Sequence, residues 1–151
     1  MTSLAPFVSS SDEMVRKMLQ LAGLKPGEVL YDLGSGDGKI LIAAAKEYGA
    51  RAVGIEIRKD LVEESRRKIK ELRLDDRVTV IHGDVMEVDI SDADVITLYL
   101  TDSGNEKLKP KLEKNVKPGA RIVSNSFRIP GWDPVQVSEA GWYKVYLYVK
   151  K

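Results

Sequence analysis

One short segment constrains this chain more than any other: Asp32-Leu33-Gly34-Ser35-Gly36-Asp37-Gly38. It joins an apolar run, Val29 to Leu33, which reads as a strand, to an alanine-rich run, Ile40 to Tyr48, which reads as a helix. Glycines let the backbone turn sharply and come close to a ligand, and the helix that follows offers free N–H groups at its start. Strand, glycine turn and helix in that order open a parallel α/β unit. The spacing also removes one reading. A nicotinamide or flavin fingerprint is G-x-G-x-x-G, and counted from Gly34 its third glycine would fall on Lys39.

The same beat continues along the chain. Before the turn, Ser10 and Glu13 have capping-box spacing, and Met14, Val15, Met18, Leu19, Leu21 and Ala22 recur at helical intervals until Gly23 and Lys25-Pro26-Gly27. After it, strands are expected at Ala52 to Ile57, Val78 to Ile81, Asp94 to Leu100 and Arg121 to Asn125, with only a short, poorly defined crossover between the second and third of these. Leu61, Val62, Ser65, Ile69 and Leu72 mark one helix face, and a lysine-rich helix runs from about Glu106 to Asn115. The β-branched, nearly unbroken strands suit a parallel sheet covered on both faces. Val135 to Ser138 and Tyr143 to Val149, with a turn at Ala140-Gly141, are joined too closely for a crossover helix and are therefore antiparallel. The expected fold is α/β: five βα units closed by a hairpin, giving a Rossmann-like, seven-stranded, mostly parallel sheet with helices on both faces. At 151 residues the chain reads as a single domain, with a lead-in and helix over 1–27 and the α/β core over 28–151.

Two further acids fall at strand ends. Glu56 closes the second strand, where a carboxylate can accept from both hydroxyls of a ribose, and Asp84 follows the third. Cysteine is absent and His82 is the one histidine, so thiolate and histidine-rich metal sites and a cysteine nucleophile are excluded; no metal is expected. His82 reads as a packing or loop residue. Residues 1–102 carry 14 basic and 19 acidic residues, whereas 103–151 carry 10 and 4. The acidic part suits a cationic ligand, and the basic part, with Lys107, Lys109, Lys111, Lys114 and Lys117, suits an acidic partner surface or an indirect link to nucleic acid. No apolar run reaches the ~18 residues of a membrane span and the first residues lack signal-peptide features, so a cytoplasmic protein is expected. Few amides, no cysteine and many Lys, Arg and Glu lean toward a heat-loving source.

An acid at a strand end followed by G-x-G-x-G resembles motif I of the class I (seven-β-strand) S-adenosylmethionine (AdoMet) methyltransferases. The resemblance implies AdoMet as cofactor and S-adenosylhomocysteine as product. It implies that Gly34, Ser35, Gly36, Asp37 and Gly38 approach the methionine moiety, with Asp32 among the acids of the site. Glu56 and Ile57 would meet the ribose, and Gly83, Asp84 and Val85 the adenine.

The segment after the fourth strand, Thr97-Leu98-Tyr99-Leu100-Thr101-Asp102, lacks the Asn/Asp-Pro-Pro-Tyr/Phe motif of nucleobase and amide methyltransferases. Ala5-Pro6-Phe7-Val8-Ser9, DLGSGDGKI, the Tyr-Leu-Thr strand end and Phe127-Arg128-Ile129-Pro130-Gly131-Trp132 together resemble the small archaeal broad-specificity protein-lysine methyltransferases. They also resemble the mitochondrial ATP-synthase c-subunit lysine methyltransferase family and, more loosely, the non-SET histone-lysine enzyme. Where relatives often carry Pro-Tyr-Val-Pro-Thr, this chain has Pro6-Phe7-Val8-Ser9-Ser10, without a tyrosine hydroxyl at position 7. The resemblance implies protein substrates with exposed lysines, broad in range. Tyr99, Phe127 and Trp132 are expected to line the lysine channel, Phe7 and Val8 to close over the cofactor, and Tyr99 and Leu100 to flank it. An apolar slot of that kind lowers the pKa of a lysine amine toward the neutral form that attacks. A monomer and self-methylation are further expectations. An RNA or small-molecule acceptor, or a non-catalytic AdoMet-binding protein, are the alternatives.

Overall fold

The structure is a computed structural model that describes residues 4–151. In chain order its elements are α1 (Asp12–Ala22), β1 (Val29–Leu33), α2 (Lys39–Tyr48), β2 (Arg51–Glu56), α3 (Lys59–Glu71), β3 (Val78–His82), β4 (Val95–Leu98), α4 (Asp102–Asn115), β5 (Arg121–Asn125), β6 (Gln136–Ala140) and β7 (Tyr143–Val149). One seven-stranded sheet runs β3-β2-β1-β4-β5-β7-β6. The first five strands are parallel, and β7 and β6 close the sheet antiparallel. This is the expected Rossmann-like architecture, and chain order reverses between β1 and β4, the place where such sheets bind ligands.

Alternation along the strands builds two cores. Leu30, Val80, Val95 and Val123 pack under Met18 and Leu19 of α1, Leu41 and Ala44 of α2, and Val62 and Ile69 of α3. Leu33, Ile96, Leu98, Ile122 and Tyr148 face the other way, toward Leu108 and Leu112 of α4. Among the described residues no helix is long and apolar enough to cross a membrane.

Several expected boundaries move. The N-cap of α1 is Ser11, whose Oγ accepts from Met14 N at 3.1 Å, rather than Ser10; the capping box of Ser10 and Glu13 does not form. Leu72 ends up exposed beyond α3 instead of on its buried face. β2 ends at Glu56, leaving Ile57 in the loop, and β4 stops at Leu98, leaving Tyr99 and Leu100 past the strand. α4 begins a turn earlier than expected because Thr101 caps it by accepting from Gly104 N at 3.0 Å; Asp102, Ser103 and Gly104 are poor helix formers and hide that turn from periodicity. The hairpin turn is Gly141-Trp142, with Ala140 still in β6.

The expectation of five βα units is corrected too. Helices cross over between β1 and β2, β2 and β3, and β4 and β5, but β3 reaches β4 through turns alone. Asp84 and Asp89 accept from the backbone N–H two residues on, at Met86 and Ser91, the local bonding with which aspartate favours turns over helix. Ile90 of this connection is fully buried and plugs the α4 face in place of a helix.

Candidate active site

A cleft of about 810 Å³, open to solvent, lies at the carboxyl ends of β1, β2, β3 and β4 under the lead-in residues 4–10. Its floor is the glycine turn. Gly34 N and Ser35 N both donate to Ile55 O, at 2.8 and 3.0 Å, which straps the turn against β2. The close approach is possible because the β2 residue beneath is Gly54: a side chain there would collide with Leu41 and Ser35. Gly36 has φ 56°, in the left-handed region, and a Cβ on it would run into the Phe7 ring. Gly38 does not line the cleft. It caps α2 at φ 82°, against Ser65, so its contribution is to turn the chain into the helix.

Three carboxylates meet on this cleft from three strand ends. Glu56 is 6% exposed; Oε1 accepts from Gly36 N at 2.8 Å and Oε2 from Arg58 N at 2.9 Å. Each oxygen keeps a lone pair for a further donor, so the geometry fits a vicinal diol. Asp84 is held by Met86 N at 2.9 Å and lies between Gly83 and Val85 on the cleft wall. Asp32 is 4% exposed and accepts from Thr97 Oγ1 at 2.9 Å. Burial pushes its carboxyl up to about 7; the Thr97 hydrogen bond opposes this, while the charges of Glu56 and Asp37 add to it. A carboxyl so placed gains most from a cationic ligand. The cations lining the cleft have partners of their own: Lys39 Nζ is 3.3 Å from Asp12 and donates to Ser10 O at 2.9 Å, and Arg58 is paired with Asp60 at 2.7 Å.

The lead-in forms the roof. Phe7 rests against Gly36, Ser9 Oγ donates to Asp37 Oδ2 at 2.8 Å, and Leu4 O approaches Gly104 at the start of α4. Val8 is on the same wall and more exposed than Phe7. Sequence reasoning missed Lys39, Thr97 and Gly54 as parts of this site. The glycine in Val-Gly-Ile-Glu was a readable signal for close approach; the Thr97 to Asp32 bond spans 65 positions and had none.

On the other side of the cleft stand Tyr99 and Leu100, past the end of β4. Burial raises the Tyr99 phenol, the nearby Tyr143 adds to this, and the Ser126 hydroxyl opposes it. Among the described residues Ser126 is one of two non-glycine positions with positive φ, 69°, and its Oγ donates to Asn125 Oδ1 at 2.6 Å. The turn is held from beneath by buried Asn105 of α4, whose Nδ2 donates to Phe127 O at 3.2 Å and Arg128 O at 3.0 Å. Phe127 is half-buried on this turn but does not line the cleft. Trp132 is brought elsewhere: it meets Tyr148 edge-to-face at 6.0 Å and shares a separate cavity with Glu113, Asp133, Lys150 and Lys151. Lys150 lies level with the amino ends of the parallel strands, since β7 runs against β5. His82 Nε2 lies 3.1 Å from Ile57 O, a loop contact. Among the described residues no group of acids and histidine is arranged to hold a metal.

The chain is similar to known proteins over nearly its whole length. A family model described as the ANTKMT methyltransferase domain matches residues 32–136. A protein-lysine N-methyltransferase of Saccharolobus islandicus (strain REY15A) is 42% identical over 95% of this chain and 92% of its own. The adenine nucleotide translocase lysine N-methyltransferase of Mus musculus is 34% identical over 95% of this chain, which spans 62% of that protein. Among solved structures, an RNA methyltransferase from Salinibacter ruber in complex with S-adenosylhomocysteine superposes with a TM-score of 0.92 at 44% identity, covering 94% of this chain and 93% of the other.

Proposed function

Because this chain belongs to the family described as the ANTKMT methyltransferase domain, we propose that it is an AdoMet-dependent methyltransferase that modifies the ε-amine of lysine in protein substrates. The cofactor half of this reading rests on Asp32, Glu56 and Asp84 converging on one cleft. The acceptor half rests on the 42% identity, over 95% of this chain and 92% of the relative, with a protein-lysine N-methyltransferase. AdoMet, when bound, supplies a methyl group already activated on a sulfonium.

The protein's own work is to position and to exclude. Glu56 receives the ribose hydroxyls, Asp84 the adenine amino group and Asp32 the cationic methionine end. Phe7 and Val8 cover the cofactor from the lead-in. Tyr99 walls the acceptor's approach, and Phe127 stands on the turn behind it without lining the cleft; Trp132 serves that turn only from a distance, through its contact with Tyr148. The neutral lysine nitrogen forms a bond to the methyl carbon as the carbon–sulfur bond breaks, leaving S-adenosylhomocysteine, and the N-methylated ammonium releases its proton to water. The open acceptor side favours a broad range of protein surfaces, including lysines of a second copy of this chain. A monomer working in the cytoplasm of a heat-loving source completes the reading.

Incubation with radiolabelled AdoMet and a cell lysate, followed by gel fluorography, tests it. Label on lysines of many protein bands is expected. A second reading, an RNA acceptor, is favoured by the description of the Salinibacter ruber relative as an RNA methyltransferase; label confined to RNA would replace the first reading with the second.

A further inference from the structure

Trp142 is 100% exposed and Tyr143 beside it is 53% exposed, at the turn of the β6–β7 hairpin. Strand register says where this turn stands. Asn125, the last residue of β5, pairs with Val145, so β7 begins two residues beyond the carboxyl end of β5. Ser126 N donates to Lys144 O at 2.8 Å, tying the base of the hairpin tip to the turn beside Tyr99. The tip therefore rises at the same end of the sheet as the cleft, on its acceptor side. Tyr143 is close enough to the Tyr99 phenol to raise its pKa.

An indole held wholly in water makes no contribution to the fold, and an exposed aromatic pair beside an open site marks a contact surface. β6 is the last strand of the sheet, paired only with β7. Among the described residues no further strand pairs with its outer edge, and Val137 on β6 and Val135 just before it are exposed. Charge decides between occupants. From 135 to 149 the hairpin carries only Glu139 and Lys144, one of each sign. A polyanion needs cations along its track, whereas an extended polypeptide needs a strand edge and apolar side chains.

Resting on the lysine reading above, we infer that the β6–β7 hairpin tip docks an extended stretch of polypeptide flanking the acceptor lysine. Trp142 and Tyr143 supply the apolar contact and β6 the edge. The test uses the full chain with β-casein, an unfolded lysine-bearing polypeptide, and total RNA as acceptors of radiolabelled methyl. Trp142→Ala removes only exposed surface, so its thermal midpoint and AdoMet affinity match the unsubstituted protein. Its KM for β-casein rises about tenfold while kcat stays within about twofold, and Trp142→Phe restores most of the loss. An unchanged KM in Trp142→Ala, with the parent protein labelling β-casein, overturns this inference alone. An effect confined to RNA labelling overturns it in favour of a stacking surface for bases. Failure of the parent protein to label lysine in β-casein or in any lysate protein overturns the acceptor reading and this inference together.

Discussion

The two sides of the cleft are built by opposite means. Toward β1, β2 and β3, Glu56 and Asp84 are tied within a short reach to backbone N–H groups, and the turn itself is strapped to Ile55 O. Toward β4 and β5, a half-buried tyrosine, a strained serine and a buried asparagine hold a turn whose outer rim is an indole in water. Dense, short-range hydrogen bonds suit a ligand of one fixed shape. A loosely walled rim suits acceptors that share a lysine and little else. On the proposed assignment of the two sides, cofactor binding and acceptor choice are expected to separate under substitution, with Thr97 to Asp32 the side-chain hydrogen bond that joins them.

Substitutions can break or sharpen that contrast. The largest effect is expected from Glu56→Ala, which removes a buried carboxylate that organises both Gly36 and Arg58. Its AdoMet affinity by calorimetry falls roughly 30- to 100-fold, the cost of about 2–3 kcal/mol for a charged hydrogen-bonding group; an unchanged affinity would remove Glu56 from the cofactor side.

Next comes Asp32. Its folded pKa of about 7 stands above the ordinary value of 3.8, so folding takes up a proton between those values and stability falls as pH rises through that window. Binding a cation favours the carboxylate, so AdoMet binding releases the proton. AdoMet affinity measured without acceptor is therefore about tenfold weaker at pH 6 than at pH 8, and Asp32→Asn flattens that dependence while raising the denaturation midpoint at pH 8.

Tyr99→Phe tests the acceptor side. It lowers kcat for methyl transfer by about threefold to tenfold and leaves AdoMet affinity as it was; a loss of cofactor binding instead would show that the two sides are coupled. The smallest effect on function is expected for Trp132→Ala. Losing its edge-to-face contact with Tyr148 lowers stability by about 1–2 kcal/mol in denaturant titration. Transfer by the fraction that remains folded is little changed, and a large fall in kcat at full folding would return Trp132 to the channel.

The parts of the site legible from residues alone were those written locally. The glycine turn, the acid closing β2 and the acid after β3 each sit at a strand end that hydrophobic runs announce. Trp132 shows why other parts were not legible. It lies seven residues past β5 in a motif that points to the acceptor, but β7 returns alongside β5 and offers Tyr148 at the opposite end of the sheet. The β3–β4 connection is a similar case: the residues mark only a short, poorly defined crossover there, and aspartates bonding their own backbone fold it into turns.

Sequence by itself determined the seven-stranded sheet, its antiparallel ending and a cofactor turn of defined spacing, because periodicity and glycine geometry act within a few residues. Tertiary structure decided the rest. Asn105 reaches the carbonyls of Phe127 and Arg128, Thr97 satisfies Asp32, and the lead-in lies over Gly36. Parallel crossovers join residues separated by 20 to 65 positions, and which of them meet depends on how each strand end and helix start is aimed once both cores have packed.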